Sequence, residues 1–325
     1  MEKEPAASWW DAFLTTPGPR SIKDAVVLAV KGLCMGAADV VPGVSGGTVA
    51  LITGIYSQLV QALKSIDSRA LKHAIGMNLK DALARVHLRF LATLFFGIGV
   101  AIISLARLMN YLLNHQPVFT WSLFFGLILA SILVVGRRVS GWLGSAGFSF
   151  LLGVIAATII VNLIPFATPN SSYFIFLCGM VAICAMILPG ISGAFILLIL
   201  GKYEFVTAAL KNPFLPENLV IILVFCCGCG IGLLGFSRLL NYLLQRYANG
   251  TLAFLTGLMA GSVQKIWPWK EIIETHVSDG KTHIVWGGNI LPPQLWSNEV
   301  LWAAVLAIIG FIAVLLIERL SRTRE

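Results

Sequence analysis

Residues 40–64 read VVPGVSGGTVALITGIYSQLVQALK, and residues 187–211 read ILPGISGAFILLILGKYEFVTAALK. Each is an apolar run interrupted by Pro-Gly-x-Ser-Gly. Proline lacks the N–H that a helix needs and glycine tolerates backbone shapes that a helix forbids, so the string stops a helix inside a hydrophobic segment. The two stretches align without a gap and share Leu51/Leu198, Gly54/Gly201, Tyr56/Tyr203 and a closing Ala-Leu-Lys. A second block recurs downstream: GIGVAIISLARLMNYLL (97–113) matches GCGIGLLGFSRLLNYLL (228–244), and Thr120, Gly126, Leu127 and Ser131 match Thr251, Gly257, Leu258 and Ser262. The chain is therefore read as a duplication of roughly 145 residues, with a longer loop (65–89) in the first copy.

The surrounding composition says where these runs live. Of 325 residues 58% are hydrophobic and 12% charged, and the mean hydropathy is +0.86, far above soluble proteins. Runs such as 90–113, 119–135, 219–234 and 300–317 approach the length that crosses a bilayer. They lack the alternation of barrel strands, so the expected class is an all-α polytopic membrane protein. The net charge of +8 sits in short loops and at the C-terminus, where it reports orientation rather than nucleic-acid binding. The first 21 residues hold no apolar core of a signal peptide; Trp9, Trp10 and Phe13 are expected to lay a segment on the membrane surface. The cysteines, including the cluster CCGC at 226–229, read as small packing residues. All five histidines fall in predicted loops and no Walker A string occurs, so no metal, cofactor, catalytic group or ATP site is expected.

Residues 25–63 would span about 58 Å as one straight helix, nearly twice the ~30 Å hydrocarbon core. The segment must turn back, and PGVSGG is taken as its one strong breaker. It is expected to form a re-entrant hairpin, as is its twin over 172–210. Three spans separate them (90–113, 119–136, 143–164), an odd number that inverts the second copy. The expected organisation is an interfacial segment (1–21), a first repeat (22–165), an inverted second repeat (166–318, with hairpin 172–210 and spans 219–244, 251–263 and 299–317) and a basic tail (319–325). Placing Lys64, Arg69, Lys72, Lys80, Arg85 and Arg89 in the cytoplasm also puts Arg137, Arg138 and the tail inside, with both termini cytoplasmic. The loops 115–118, 166–171 and 264–298 then face outward, the last as an interfacial cap.

Inverted repeats with interrupted helices are the architecture of secondary transporters, where broken ends meet near the midplane. Ser45, Gly46, Gly47 and Thr48, and Ser192 and Gly193, would open a second half-helix after Pro42-Gly43 and Pro189-Gly190, and its N–H groups outline an anion site. A plain packed hairpin turn is the alternative. Arg107 and Arg238 occupy equivalent positions inside apolar helices, where a charge is costly; Asn110 and Asn241 follow one turn later, expected on the same face. Snorkelling of the arginines to the interface is the bland reading. Asp39 and Glu204 are the carboxylates nearest the breaks, and Asp39 is open to pairing an arginine, orienting the turn or carrying a coupling proton. Lys31 and Lys202 are expected to reach toward head groups.

At these residues the sequence resembles a known family. ADVVPGVSGGT (38–48) with MILPGISGA (186–194) is similar to the bacterial undecaprenyl-phosphate translocases, long filed as a domain of unknown function, and the resemblance covers about residues 22–318. It implies a transporter in the cytoplasmic (inner) membrane that returns undecaprenyl phosphate from the outer to the inner leaflet for peptidoglycan and other envelope polymers. The implied partners are that carrier lipid and the surrounding membrane, with proton or ion coupling and a homo-oligomer left open and nucleic acid excluded. The positions carried over are Asp39, Pro42, Gly43, Ser45, Gly46, Gly47 and Thr48, then Pro189, Gly190, Ser192 and Gly193. The second copy departs from the first, with Phe195 in place of Thr48 and no acid in place of Asp39, so the half-sites should not bind phosphate alike. An integral-membrane undecaprenyl-pyrophosphate phosphatase also uses Pro-Gly-x-Ser hairpins, but it follows the serine with arginine and adds a Glu-x-x-x-Glu pair, both lacking here.

Overall fold

A computed structural model of the chain describes residues 16–40, 45–66, 86–163, 168–278, 281–292 and 297–322; the side chains of 106, 107, 110, 211, 272–287 and 320–322 lie outside that description. The interfacial residues Trp9, Trp10 and Phe13, most of the basic loop before residue 86, and Pro42 and Gly43 of the first break therefore lie outside the described residues.

The described chain folds into helices in one order, given twice. The first run is α1 (Ile22–Asp39), α2 (Gly46–Ile52), α3 (Tyr56–Lys64), α4 (Leu88–His115), α5 (Pro117–Gly136) and α6 (Gly147–Val161). The second is α7 (Ser172–Ile187), α8 (Gly193–Ile199), α9 (Tyr203–Lys211), α10 (Pro216–Arg246), α11 (Ala248–Ser262) and α12 (Asn298–Arg322). Ser21 starts α1 with a reciprocal capping box to Asp24. Five stretches, within or across α4, α5, α6, α10 and α12, are long and apolar enough to cross a membrane. Most of their outward side chains are apolar, for example Ile103, Leu151, Leu223 and Ile308, as lipid contact requires. The protein is a multi-pass helical membrane protein.

The segment 25–63 differs from a simple two-legged hairpin. Its return leg breaks again after the seven residues of α2, and the matching leg breaks after the seven of α8. In both places the helix ends in a Schellman motif: Ile55 N donates to Ala50 O and Gly54 N to Leu51 O, and Lys202 N donates to Leu197 O and Gly201 N to Leu198 O. Gly54 and Gly201 take the left-handed φ that this motif needs, +76° and +62°. The axes of α8 and α9 consequently turn through 116°. These glycines are repeat identities in the sequence, but a lone glycine is a weaker breaker than Pro-Gly.

Helix pairing follows the duplication. Within the halves α1 packs along α4 and α7 along α10; between them α5 packs along α12 and α6 along α11. All four seams are built with glycines on both partners, so that each added Cβ would overlap a carbonyl opposite: Gly32 on Leu94 and Gly97 on Ala29, Gly179 on Phe225 and Gly228 on Phe176, Gly126 on Ala307 and Gly310 on Leu123, Gly153 on Phe254 and Gly257 on Phe150. In lipid, where apolar surface gains little by leaving its solvent, such close backbone approach is a main source of helix association. The principal core joins Leu51, Tyr56 and Leu59 of the first half to Ile187, Ile191, Leu255 and Met259 of the second.

One element departs from an all-helical reading. After α11 and a 3₁₀ turn (Val263–Ile266), strands β1 (Lys270–Ser278) and β2 (Lys281–Asn289) pair antiparallel within the loop expected as an interfacial cap. An Asp-Gly dipeptide between two β-rich runs was the hairpin signal in the sequence.

Gly126→Val should destabilise the fold by about 1–3 kcal/mol through overpacking of the α5–α12 seam, while Gly235→Val, whose Cβ would meet open space, should not. Thermal unfolding in detergent checks this; equal stability of the two variants contradicts the glycine-seam account.

Candidate functional site

A helix broken inside a membrane leaves N–H and C=O groups that no water can satisfy. At the first break, Asp39 is the last residue of α1 and its Oδ1 accepts from Gly46 N at 2.7 Å. Ser45 Oγ accepts from Gly47 N at 3.1 Å. The anion position that the sequence predicted at the start of α2 is thus filled by the chain's own carboxylate. Asp39 can return to that point because Gly46 has no Cβ; one added there would lie 2.5 Å from Oδ2.

Among the described residues, three further hydrogen bonds join the two breaks. Ser45 Oγ donates to Leu188 O at 3.1 Å. Gly190 N donates to Thr48 Oγ1 at 3.1 Å, and Tyr56 OH donates to Ile187 O at 3.3 Å. Ser45, Thr48 and Tyr56 are at most 2% exposed. A Cβ on Gly47 would lie 2.6 Å from Ile187 O, so that glycine allows the breaks to touch. Gly190 holds φ +85°, and Gly193 packs with its Cα close under Ala182 O. The pairing is unequal: Ser192 forms no side-chain cap on α8, and Met186 stands at the repeat position of Asp39. Tyr203, the repeat partner of buried Tyr56, is exposed.

The far ends of the short helices are also closed. Lys31 Nζ donates to Thr53 O, past the end of α2, at 2.8 Å. At α8 the terminal carbonyl of Leu200 accepts from Thr168 Oγ1, and Lys202 Nζ donates to Thr168 O at 2.8 Å and to Asn170 Oδ1 at 2.6 Å. Lys202 is only 2% exposed. Both lysines reach the negative end of a short helix or the loop that covers it.

Not every predicted residue joins this centre. Arg238 is exposed and its Nη1 donates to Leu234 O of its own helix at 3.2 Å. Glu204 is exposed as well. Asn241, expected to share a face with Arg238, is buried, and its Nδ2 has no partner among the described residues. Arg107 and Asn110 lie on α4, their side chains outside the described residues. Pro189 stands in the second break between Leu188 and Gly190, both in contact with the first.

Beside the first break runs an apolar cleft of about 540 Å³, between α1, α2, α5 and α12, with Thr48 on its wall and Val30, Phe124, Ile128 and Val314 along it. Lys31 and Thr53 stand where it adjoins a more polar vestibule of about 810 Å³ lined by Arg20, Lys23, Asp24, Gln58 and His87. Cations outnumber the one acid there, and Asp24 is engaged in capping α1. The shape suits a ligand with an anionic head and a long apolar tail. Sequence reasoning missed the vestibule, because its residues come together from the start of α1, α3 and the start of α4.

Residues 35–284 match the undecaprenyl phosphate translocase-like family. A polyprenyl-phosphate transporter of Vibrio cholerae is 43% identical over 293 residues, covering 86% of this chain and 94% of that protein. A polyprenyl-phosphate transporter of Staphylococcus aureus is 30% identical over 314 residues, covering 91% and 97%. No solved structure matches the chain.

Thr48→Val removes the acceptor of the Gly190 N–H and leaves a buried donor unpaired, at a cost of about 1–3 kcal/mol; Thr48→Ser should restore most of it. A Thr48→Val protein that melts with the wild type would show that this bond between the breaks contributes nothing.

Proposed function

The chain belongs to the undecaprenyl phosphate translocase-like family, and on that premise we propose that it carries a polyprenyl phosphate between the leaflets of the bacterial cytoplasmic membrane, from outer to inner. The observation that carries this reading is the apolar cleft that starts at a break in a membrane helix and ends in a basic vestibule. The isoprenoid tail lies in the cleft and continues into lipid. The phosphate meets Lys31 and the vestibule, where a charge-assisted hydrogen bond is stronger than a neutral one. The relatives' names speak for a transporter and against an enzyme.

The two halves act as inverted repeats, each with a re-entrant segment (α1–α3 and α7–α9) entering from opposite faces. Support comes from the odd number of spans between them and from the positive-inside distribution, which puts both termini in the cytoplasm. The doubled pairing scheme, α1 on α4 like α7 on α10, and α5 on α12 like α11 on α6, agrees with that symmetry. In this reading the paired breaks form the barrier between leaflets. Asp39, Ser45, Gly46, Gly47 and Thr48 make one side of it, and Pro189, Gly190, Ser192 and Gly193 the other. Rocking of one half on the other opens it to alternate sides. Proton coupling falls to Asp39 rather than to Glu204, since Asp39 alone touches the break.

Reconstituted protein should accelerate leaflet exchange of polyprenyl phosphate in liposomes, and Val30→Trp, which fills the cleft, should slow it about tenfold or more, as an added ring costs ~1–3 kcal/mol in a filled site. No acceleration by the wild type overturns the transport reading; an unimpaired Val30→Trp moves the tail out of the cleft.

A further inference from the structure

Among the described residues, two lysines outside the cleft stand without counter-charge. Lys270 Nζ lies 3.8 Å from the centroid of the Trp121 ring and donates to Lys265 O at 2.6 Å. Lys265 Nζ lies 4.6 Å from the centroid of Phe195, in the first turn of α8. Among the described residues, neither ammonium has a carboxylate within ion-pair reach, and Lys265 Nζ has no hydrogen-bond acceptor. Burial pushes Lys265 below its usual value; burial and the Lys265 charge push Lys270 down to about 7. Trp121 Nε1 is buried and also lacks an acceptor among the described residues. The group is all donor and positive, with aromatic faces that hold a cation but do not neutralise it.

The second half supplies Phe195 where the first has Thr48. That exchange gives up the hydroxyl that binds the opposite break and gains the ring under Lys265. The place is also set along the path of the substrate. Trp121 lies near the start of α5, while Phe124, Leu127, Ile128 and Ser131 of the same helix line the cleft. Ten residues of helix separate Trp121 from Ser131, about 15 Å, so the lysines stand beyond the end of the cleft away from Ser131.

We propose that Lys265 and Lys270 form a second phosphate station, which holds the terminal phosphate of the transported lipid on the α5 N-terminal side of the breaks. The inference rests on the transport reading for the identity of the lipid, and on the donor cluster alone for the anion. A phosphate dianion accepts from both ammonium groups and from Trp121 Nε1 and removes their mutual repulsion; a free phosphate offers the same acceptors. In the orientation that puts the termini in the cytoplasm, this station faces the outer leaflet and Lys31 the inner.

Amine modification of the full chain, mapped by mass spectrometry, tests the site. A short-chain polyprenyl phosphate should slow modification of Lys265 and Lys270, and the matching polyprenol should not; equal protection by the alcohol, or none by the phosphate, overturns the station. Inorganic phosphate protecting at the same concentration as the lipid assigns the pair to free phosphate, and protection by the lipid alone assigns it to the head group. In liposomes K265Q/K270Q should lower exchange of polyprenyl phosphate about tenfold or more, as expected for loss of charged hydrogen bonds, with K265R/K270R retaining most of it. A full rate in K265Q/K270Q overturns the inference while leaving transport standing. A wild type that moves no lipid but shows lysine protection by phosphate retains the anion site and removes the transport reading.

Discussion

Backbone polar groups cannot be left bare in hydrocarbon, and the structure turns on how this chain satisfies them at two breaks. Each break completes the other: a serine and a threonine of the first meet a carbonyl and an amide of the second, across more than 140 residues of sequence. The glycines around them permit contact, and the large core on either side is drawn from both halves. Neither break is self-sufficient, so any motion that separates them must supply new partners. Water, or the phosphate of a lipid, is the chemistry at hand for that exchange.

The two copies have diverged in a way that suits such an exchange. The first break carries its own anion, Asp39, on the opening amides of α2. The second has no acid, no serine cap, and a phenylalanine beneath a lysine. One side is internally neutralised, and the other leaves positive charge unanswered among the described residues. In the proposed mechanism a substrate phosphate is therefore not held by two equivalent cradles, as strict symmetry would suggest; cations at different depths, Lys31 and the Lys265–Lys270 pair, would flank a barrier made of backbone and hydroxyls.

Much of the architecture was legible in the sequence because it rests on local chemistry. Pro-Gly within an apolar run marks a break wherever it occurs, and the repeat identities located Gly54 and Gly201, although their Schellman turns were not recognised. The apolar runs gave the long helices to within a few residues. The site was less legible, because its contacts are distant in sequence. Asp39 was singled out, but its role as the cap of Gly46 depends on how the chain returns. Arg238 drew attention as a charge in an apolar helix, yet three-dimensional packing turns it to the surface and buries Asn241 instead. Lys265 and Lys270 lie in the loop read as an outward cap, and only the fold places them over Phe195 and Trp121.

The central claim is that the two broken segments enter the membrane from opposite faces and meet tip to tip. Ser65 follows α3 and Asn212 follows α9, so single cysteines at these positions, in an otherwise cysteine-free chain, report the faces on which the two segments end. Labelling with a membrane-impermeant thiol reagent in oriented vesicles should reach one position from the cytoplasmic side and the other from the opposite side. Both positions labelled from the same side would contradict the inverted arrangement and the alternating mechanism built on it.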